Sequence, residues 1–312
     1  MELQHLSTHE YGRIFGTTAT VFNTAAFNEL NASKCEKLYL LAFKDSKYRL
    51  GLIAGLRNGM LHTPFSAPFG GFSAMRDDIS ISQLETATDL LIEFARTHQF
   101  NGIRYTMPPL FYQETFLNKV LNVLPRKGFR IGTLDINYQF RLNRLTDQYE
   151  AGIWHNARKN IRIAREQGYT FYHAETPEEK QAAYEVIREN RQQRGFPLRM
   201  SWEQVAATIE LIPADFFLLR NSDAQHVAAA VVFQVTPQIV QVIYWGDIPA
   251  YAAGKPMNLL SYEVFRYYRD AGFLYADIGP STEDGIPNYG LCEFKESIGC
   301  ELNPKLTFYW EP

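Results

Sequence analysis

The chain has 312 residues, 46% of them hydrophobic and 14% aromatic, with 18 Tyr and 22 Phe. That content excludes a disordered chain and is enough for two packed cores. The formal net charge of −3 offers no general attraction to DNA or to an anionic membrane, so any basic site has to be local.

In chain order, the first half opens with a hairpin pattern over 38–63 (LYLLAFKDSKYRLGLIAGLRNGMLHT) and a Pro/Gly-rich stretch over 64–72 (PFSAPFGGF). A helix follows over 81–100, then a strand over 102–108 (GIRYTMP), a further helix and a last strand over 134–142 (LDINYQFRL). Next comes WHNARKNIRIAREQG, residues 154–168. Here Ile153, Ala157, Ile161 and Ala164 fall on one helical stripe, and Arg158, Arg162 and Arg165 on an adjacent one with Lys159 alongside. The basic stripe reads either as a solvated face or as a surface for an anionic substrate, since guanidinium presents a fork to phosphate or carboxylate.

The second half repeats the order. FFLLR (216–220) and VAAAVVFQV (227–235) flank NSDAQH, whose Asn, Ser and Asp supply turn chemistry for a hairpin. After Pro237 and Gln238 comes IVQVIYWG (239–246), bulky on both faces and so a central strand. DIPAYAAGKP then leads to Pro256, suited to a first helical turn because its missing N–H would be unpaired there. Leu259, Leu260, Val264, Phe265 and Tyr268 recur at helical spacing, Gly272 ends the helix, and FLYADI runs to Gly279 and Pro280. A loop, a helix and the strand KLTFYWE (305–311) complete the half.

An offset of about 170 residues is too long for a solenoid, whose units run about 20–50 residues. Two α+β domains are expected, 1–145 and 146–312, each a mixed, mostly antiparallel sheet flanked by helices. The N-terminus, MELQHLSTHEYGRIFG, has no basic n-region or apolar h-region, and no membrane-length apolar run occurs, so the expected location is the cytoplasm. Cys35, Cys292 and Cys300 have no metal-ligand spacing and read as reduced thiols. The scattered histidines form no ligand pair, so neither a metal nor a tightly bound cofactor is expected.

Several residues carry candidate chemistry. The loop Ala252-Ala253-Gly254-Lys255-Pro256 precedes a helix that follows a central strand, the place where open sheets bind ligands. It reads either as a phosphate or pyrophosphate cradle or as simple turn geometry. Asp277 interrupts an apolar strand, which is costly unless the carboxylate is paired or used; the alternative is a half-exposed strand face. Lys295 either pairs with Asp277, binds a substrate anion, or makes a surface ion pair with Glu293 or Glu296. Asp247, Glu283 and Asp284 are the other nearby carboxylates. Tyr244, Tyr289 and Ser281 can deliver a proton to a leaving group.

Three segments together, ARKNIRIAREQG, PFSAPFGGF and NYGLCEFKESIGCE (288–301), resemble peptidoglycan-bridge aminoacyltransferases of the Fem type and their acetyltransferase-like relatives, built from tandem GNAT folds. The resemblance spans nearly the whole chain. It implies transfer of an acyl or aminoacyl group from acyl-CoA or aminoacyl-tRNA to an amine of a cell-wall, polysaccharide or amino-acid-derived acceptor. A backbone N–H within Ile243-Tyr244-Trp245 would face the acyl carbonyl, with Asp277, Tyr244 and Ser281 as catalytic candidates. Tyr244, Trp245, Gly254, Lys255, Met257 and Asn258 would meet the donor; Arg158, Arg162, Tyr289 and Lys295 the substrate. The first domain would shape the acceptor pocket, with Phe65, Phe69, Phe72, Tyr105 and Tyr112 as lining or core. Two departures matter: Pro256 stands where the pyrophosphate pattern wants an N–H, and the helical-hairpin insertion of some Fem enzymes is absent between 176 and 214. A catalytically inactive ligand-binding protein of the same fold is the alternative.

Overall fold

The computed structural model describes residues 1–16, 20–76 and 78–312. They form two compact units: Met1–Ile136 with Thr282–Ile286 and Asn303–Pro312, and Asn137–Ser281 with Pro287–Leu302.

Unit 1 contains β1 (Glu2–His5), α1 (Thr8–Phe15), α2 (Ala25–Leu30), β2 (Lys37–Lys44), β3 (Tyr48–Arg57), β4 (Met60–Thr63), β5 (Gly71–Ala74), α3 (Ile81–Thr97), β6 (Gly102–Thr106), α4 (Glu114–Arg126) and the start of β7 (Arg130–Arg141). Unit 2 takes the end of β7, then α5 (Tyr149–Gly152), α6 (His155–Glu166), β8 (Thr170–Ala174), α7 (Pro177–Arg194), α8 (Trp202–Ile209), β9 (Ala214–Arg220), β10 (His226–Thr236), β11 (Ile239–Asp247), α9 (Pro256–Asp270) and β12 (Tyr275–Pro280). After a small hairpin, β13 (Thr282–Glu283) and β14 (Ile286–Pro287), come α10 (Tyr289–Ser297) and β15 (Glu301–Trp310). No helix is long and apolar enough to cross a membrane among the described residues.

Unit 1 orders its strands β1-β2-β3-β4-β6-β15, with β5 also on β3; β4 and β6 run parallel and the other neighbouring strands antiparallel. Unit 2 orders its strands β7-β12-β11-β10-β9-β8, with β11 and β12 parallel and the rest antiparallel. Each unit thus has one parallel pair within an antiparallel sheet, which is the repeated order expected from the sequence and an α+β fold. The last strands differ from expectation. LDINYQFRL, expected at the end of the first half, pairs through Asn137–Arg141 with β12 of unit 2. KLTFYWE, expected with the second half, pairs with β6 of unit 1.

In unit 1, Leu61, Ile103 and Phe308 point from the sheet into a core shared with Leu84 and Leu91 of α3 and Val120 and Leu124 of α4. Tyr11 and Phe15 of α1 and Ala25 of α2 cover Leu40, Ala42 and Ile53 on the other side. Phe65, Phe69, Phe72 and Tyr105 are all buried. In unit 2, β10 is buried along almost its whole length because α7 and α9 both pack on it. Helix α7 starts where the sequence has every signal for it: a Thr176/Glu179 capping box and Pro177 at the first turn, with Gly195 ending it at φ 70°.

Candidate active site

The parallel pairing of β11 and β12 covers only Ile239↔Tyr275, Val240↔Ala276 and Gln241↔Asp277. Beyond that point β11 continues to Asp247 on β10, while β12 continues to Pro280 on β7. A register shift opposite Val231 and Val232 makes Ile243 an extra residue, bulging β11. The two strands therefore part after Gln241 and Asp277, and among the described residues no strand pairs with the β12-facing edge of β11 from Val242 onward. Ile243-Tyr244-Trp245, the segment expected to present a backbone N–H, lies on this edge, whose N–H groups have no strand partner among the described residues.

Asp277 sits at the root of this gap and is fully buried. Its Oδ1 accepts from Asn137 Nδ2 at 2.7 Å and from the Gly279 N–H at 2.9 Å, and its Oδ2 accepts from Gln241 Nε2 at 2.8 Å. The carboxylate ties together the three strands that meet where the gap begins. The amide oxygens of Gln241 and Gln139, both buried and in register with Asp277, have no donor among the described residues.

Helix α10 touches both strands beside the gap. Phe294 meets the Trp245 ring edge-on, centroids 5.9 Å apart. Lys295 is 1% exposed. Its ammonium donates to the carbonyls of Ile278 at 3.1 Å, Gly279 at 2.8 Å and Pro280 at 3.1 Å. Three successive carbonyls converge on one cation because β12 is bulged between Asp277 and Gly279, and Gly279 has φ 72°. Burial lowers the Lys295 pKa to about 8. Its Nζ also lies 5.2 Å from the centroid of Tyr138, whose hydroxyl donates to Glu296 at 2.8 Å and whose pKa is raised by burial. Ser281 is buried with its hydroxyl unpartnered among the described residues, while its carbonyl accepts from the Asn288 N–H. Asp277, Ser281 and Lys295 thus gather around the end of β12.

Tyr244 and Trp245 lie on the β11 side of the gap. Tyr244 is half-buried, and burial raises its pKa, with the Arg191 guanidinium acting in the opposite sense. Asp247 is held by Asn190 at 3.3 Å and Arg194 at 3.1 Å. Tyr289, in contrast, is 74% exposed at the start of α10.

On α6, Arg158 has a buried Nε with no partner among the described residues, and Arg162 is exposed. The helix start is joined to α10 by the Trp154 N–H donating to Ser297 O at 3.1 Å. Arg165 is occupied by Glu150 and lies over Tyr262.

The segment expected as a possible cradle is a closed turn. Pro249–Gly254 forms a 3-10 helix, the Lys255 N–H donates to Ala252 O, the Asn258 N–H donates to Lys255 O, and Pro256 has none. The Tyr169 hydroxyl covers Gly254 so closely that an ideal Cβ there would lie 2.1 Å from it. Lys255 is half-buried in the left-handed region at φ 57°; Met257 is half-buried and Asn258 buried.

Sequence reasoning missed Asn137, Gln139 and Gln241. The signal was present: each is an amide inside an apolar strand run, the same reason that singled out Asp277. Nothing in the sequence shows that Tyr169 covers Gly254.

No protein-family model matches the chain, and no curated protein matches it. Solved structures do. FemX aligns with 100% of this chain and 98% of its own, at 13% identity and a TM-score of 0.72. L-PGS from Bacillus licheniformis aligns with 97% of this chain and 90% of its own, at 13% identity and a TM-score of 0.63. A tandem GNAT protein from the clavulanic acid biosynthesis pathway aligns with 99% and 98%, at 12% identity and a TM-score of 0.51. At such identities the likeness establishes the fold, which is the Fem-like, tandem GNAT architecture that the sequence motifs implied.

Proposed function

We propose that the protein is an N-acyltransferase that moves an acyl or aminoacyl group to an amine by direct attack in the gap between β11 and β12. The observation that carries this reading is the partnerless β11 edge opening at Gln241 and Asp277 beside the bulge at Ile243. The amine nitrogen attacks the carbonyl carbon, and an N–H of that edge meets the oxygen as it becomes negative. Collapse breaks the bond to the leaving oxygen or sulfur. The proton lost by the amine returns to that leaving group, with Tyr244 and Ser281 as candidate carriers.

The closed turn at Gly254 supports a donor that places no pyrophosphate there, and so favours an aminoacyl ester over acyl-CoA. Arg158 and Arg162 meet an anionic acceptor, a small molecule or cell-wall precursor. The fold shared with FemX and L-PGS is consistent with this chemistry.

The test is thermal stability of the purified protein with excess charged tRNA, acetyl-CoA or CoA, because a ligand that binds only the native state raises the melting temperature. A rise with charged tRNA alone supports the ester-donor reading. A rise with CoA species replaces the donor and keeps the reaction, and no rise with any of them favours a ligand-binding protein of this fold. Within the enzyme reading, Arg158→Gln and Arg162→Gln are expected to raise the acceptor KM with kcat unchanged.

A further inference from the structure

The sheet of unit 1 carries a second arrangement, separate from the residues just described. Gly55, His62, Arg104 and Tyr309 are paired in register across β3, β4, β6 and β15, so they share one face of the sheet. Their neighbours Leu61, Ile103 and Phe308 point into the core on the opposite face. Arg57, two residues beyond Gly55, lies on the same face as His62.

The row has walls. At one end the Phe65 ring covers Gly55, where an ideal Cβ would lie 2.6 Å from its Cγ. At the other end the Tyr309 ring covers Gly132, with a corresponding distance of 2.3 Å to Cδ2. Among the described residues each arginine is held by one nitrogen. Arg104 donates through Nε to the Tyr309 hydroxyl at 3.0 Å, and Arg57 donates through Nη1 to the Phe65 carbonyl at 3.1 Å. That anchors each guanidinium and, among the described residues, leaves both Nη groups of Arg104, with Nη2 and Nε of Arg57, unspent.

Between them stands a half-buried imidazole whose pKa is lowered to about 4, by burial first and then by Arg104 and Arg57. Among the described residues neither arginine has an ion pair with a carboxylate. The adjacent acid, Glu36, accepts from the Asn58 N–H at 2.7 Å. Two guanidinia flanking a neutral imidazole with no carboxylate ion-paired to either among the described residues is an unfavourable cluster in the free protein, and one that a bound oxyanion relieves.

We infer that this row is a binding site for a phosphate or diphosphate group carried by a small molecule, held between the Arg57 and Arg104 guanidinia with the His62 N–H between them. A phosphate fits better than a carboxylate because the donors left on the two guanidinia and the imidazole outnumber what two oxygens accept. The inference rests on unit 1 alone and does not depend on the acyl-transfer reading.

The experiment is titration calorimetry of the full-length protein with inorganic pyrophosphate, with citrate as the carboxylate control, joined to NMR of the His62 imidazole identified by its loss in His62→Gln. Saturable pyrophosphate binding is expected, together with a rise of the His62 pKa toward its ordinary value as the anion offsets the guanidinia. Arg104→Gln is expected to weaken binding by about tenfold or more, the scale of a lost charge-assisted hydrogen bond. Arg57→Gln, at an exposed side chain, is expected to weaken it by several-fold with the fold intact. Three results overturn the site: no heat and no change at His62, citrate binding as tightly as pyrophosphate, or pyrophosphate binding undiminished in both arginine variants.

Discussion

Asp277 was singled out by its cost: a carboxylate inside an apolar strand must be paired or used. The structure pairs it, with donors from Asn137, Gly279 and Gln241. Asp277→Asn keeps the shape and turns one acceptor into a donor facing another donor, which ordinarily costs about 1–3 kcal/mol. The Gln241 amide can rotate to offer its unpartnered oxygen to the new donor, so the expected loss in chemical denaturation is at the low end. If the carboxylate also takes part in the reaction, kcat falls beyond what this small loss explains. An unchanged kcat would leave Asp277 as the pin between strands. Gly254 gives a second test at this scale. Gly254→Ala is expected to destabilise by about 1–3 kcal/mol by displacing the Tyr169 hydroxyl. Combined with Tyr169→Phe, whose nearest remaining atom lies 3.2 Å from the added carbon, most of that loss should vanish. Strict additivity of the two changes would mean that Tyr169 does not sit on this turn.

At the scale of elements, the joint between α10 and β12 depends on a single buried cation. Lys295 has a pKa of about 8 in the folded protein against 10.5 ordinarily. Between those values the unfolded chain binds more protons than the native one. Stability therefore rises with pH across that window, by on the order of 3 kcal/mol in full, and is unaffected by this group below it. Urea denaturation of the wild type and of Lys295→Met at pH values spanning the window should show that slope in the wild type only. Equal slopes would remove Lys295 from the linkage. Most element types were legible: the β9–β10 hairpin from its turn residues, β11 from bulk on both faces, and α9 from Pro256 and the spacing of Leu260, Val264 and Tyr268. The closed turn before α9 was not, because a glycine before a helix looks alike whether its amides are free or already bonded.

For the whole molecule, the exchange of last strands has a consequence that truncation can reveal. Leu306, Phe308 and Trp310 of β15 belong to the core of unit 1. Removing Asn303–Pro312 is expected to abolish amide protection in β4 and β6 while β9, β10 and β11 keep theirs, read by hydrogen exchange. Loss in β9–β11 with β6 still protected would assign the strand to the other unit.

The sequence alone determined the duplicated α+β order, the central strand over 239–246, and the singular status of Asp277, because periodicity, turn chemistry and the cost of burying charge are local properties; the parting of that strand from its neighbour near Ile243 was implied only by the resemblance to the Fem type. Only the tertiary structure decided which sheet each final strand joins, that Tyr169 lies on Gly254, that three carbonyls of β12 converge on Lys295, and that His62 and two arginines share one row. Those facts depend on strand register and long-range pairing. Chain order does not encode them in any single segment, since a strand's pattern records which face it buries and leaves its neighbour open.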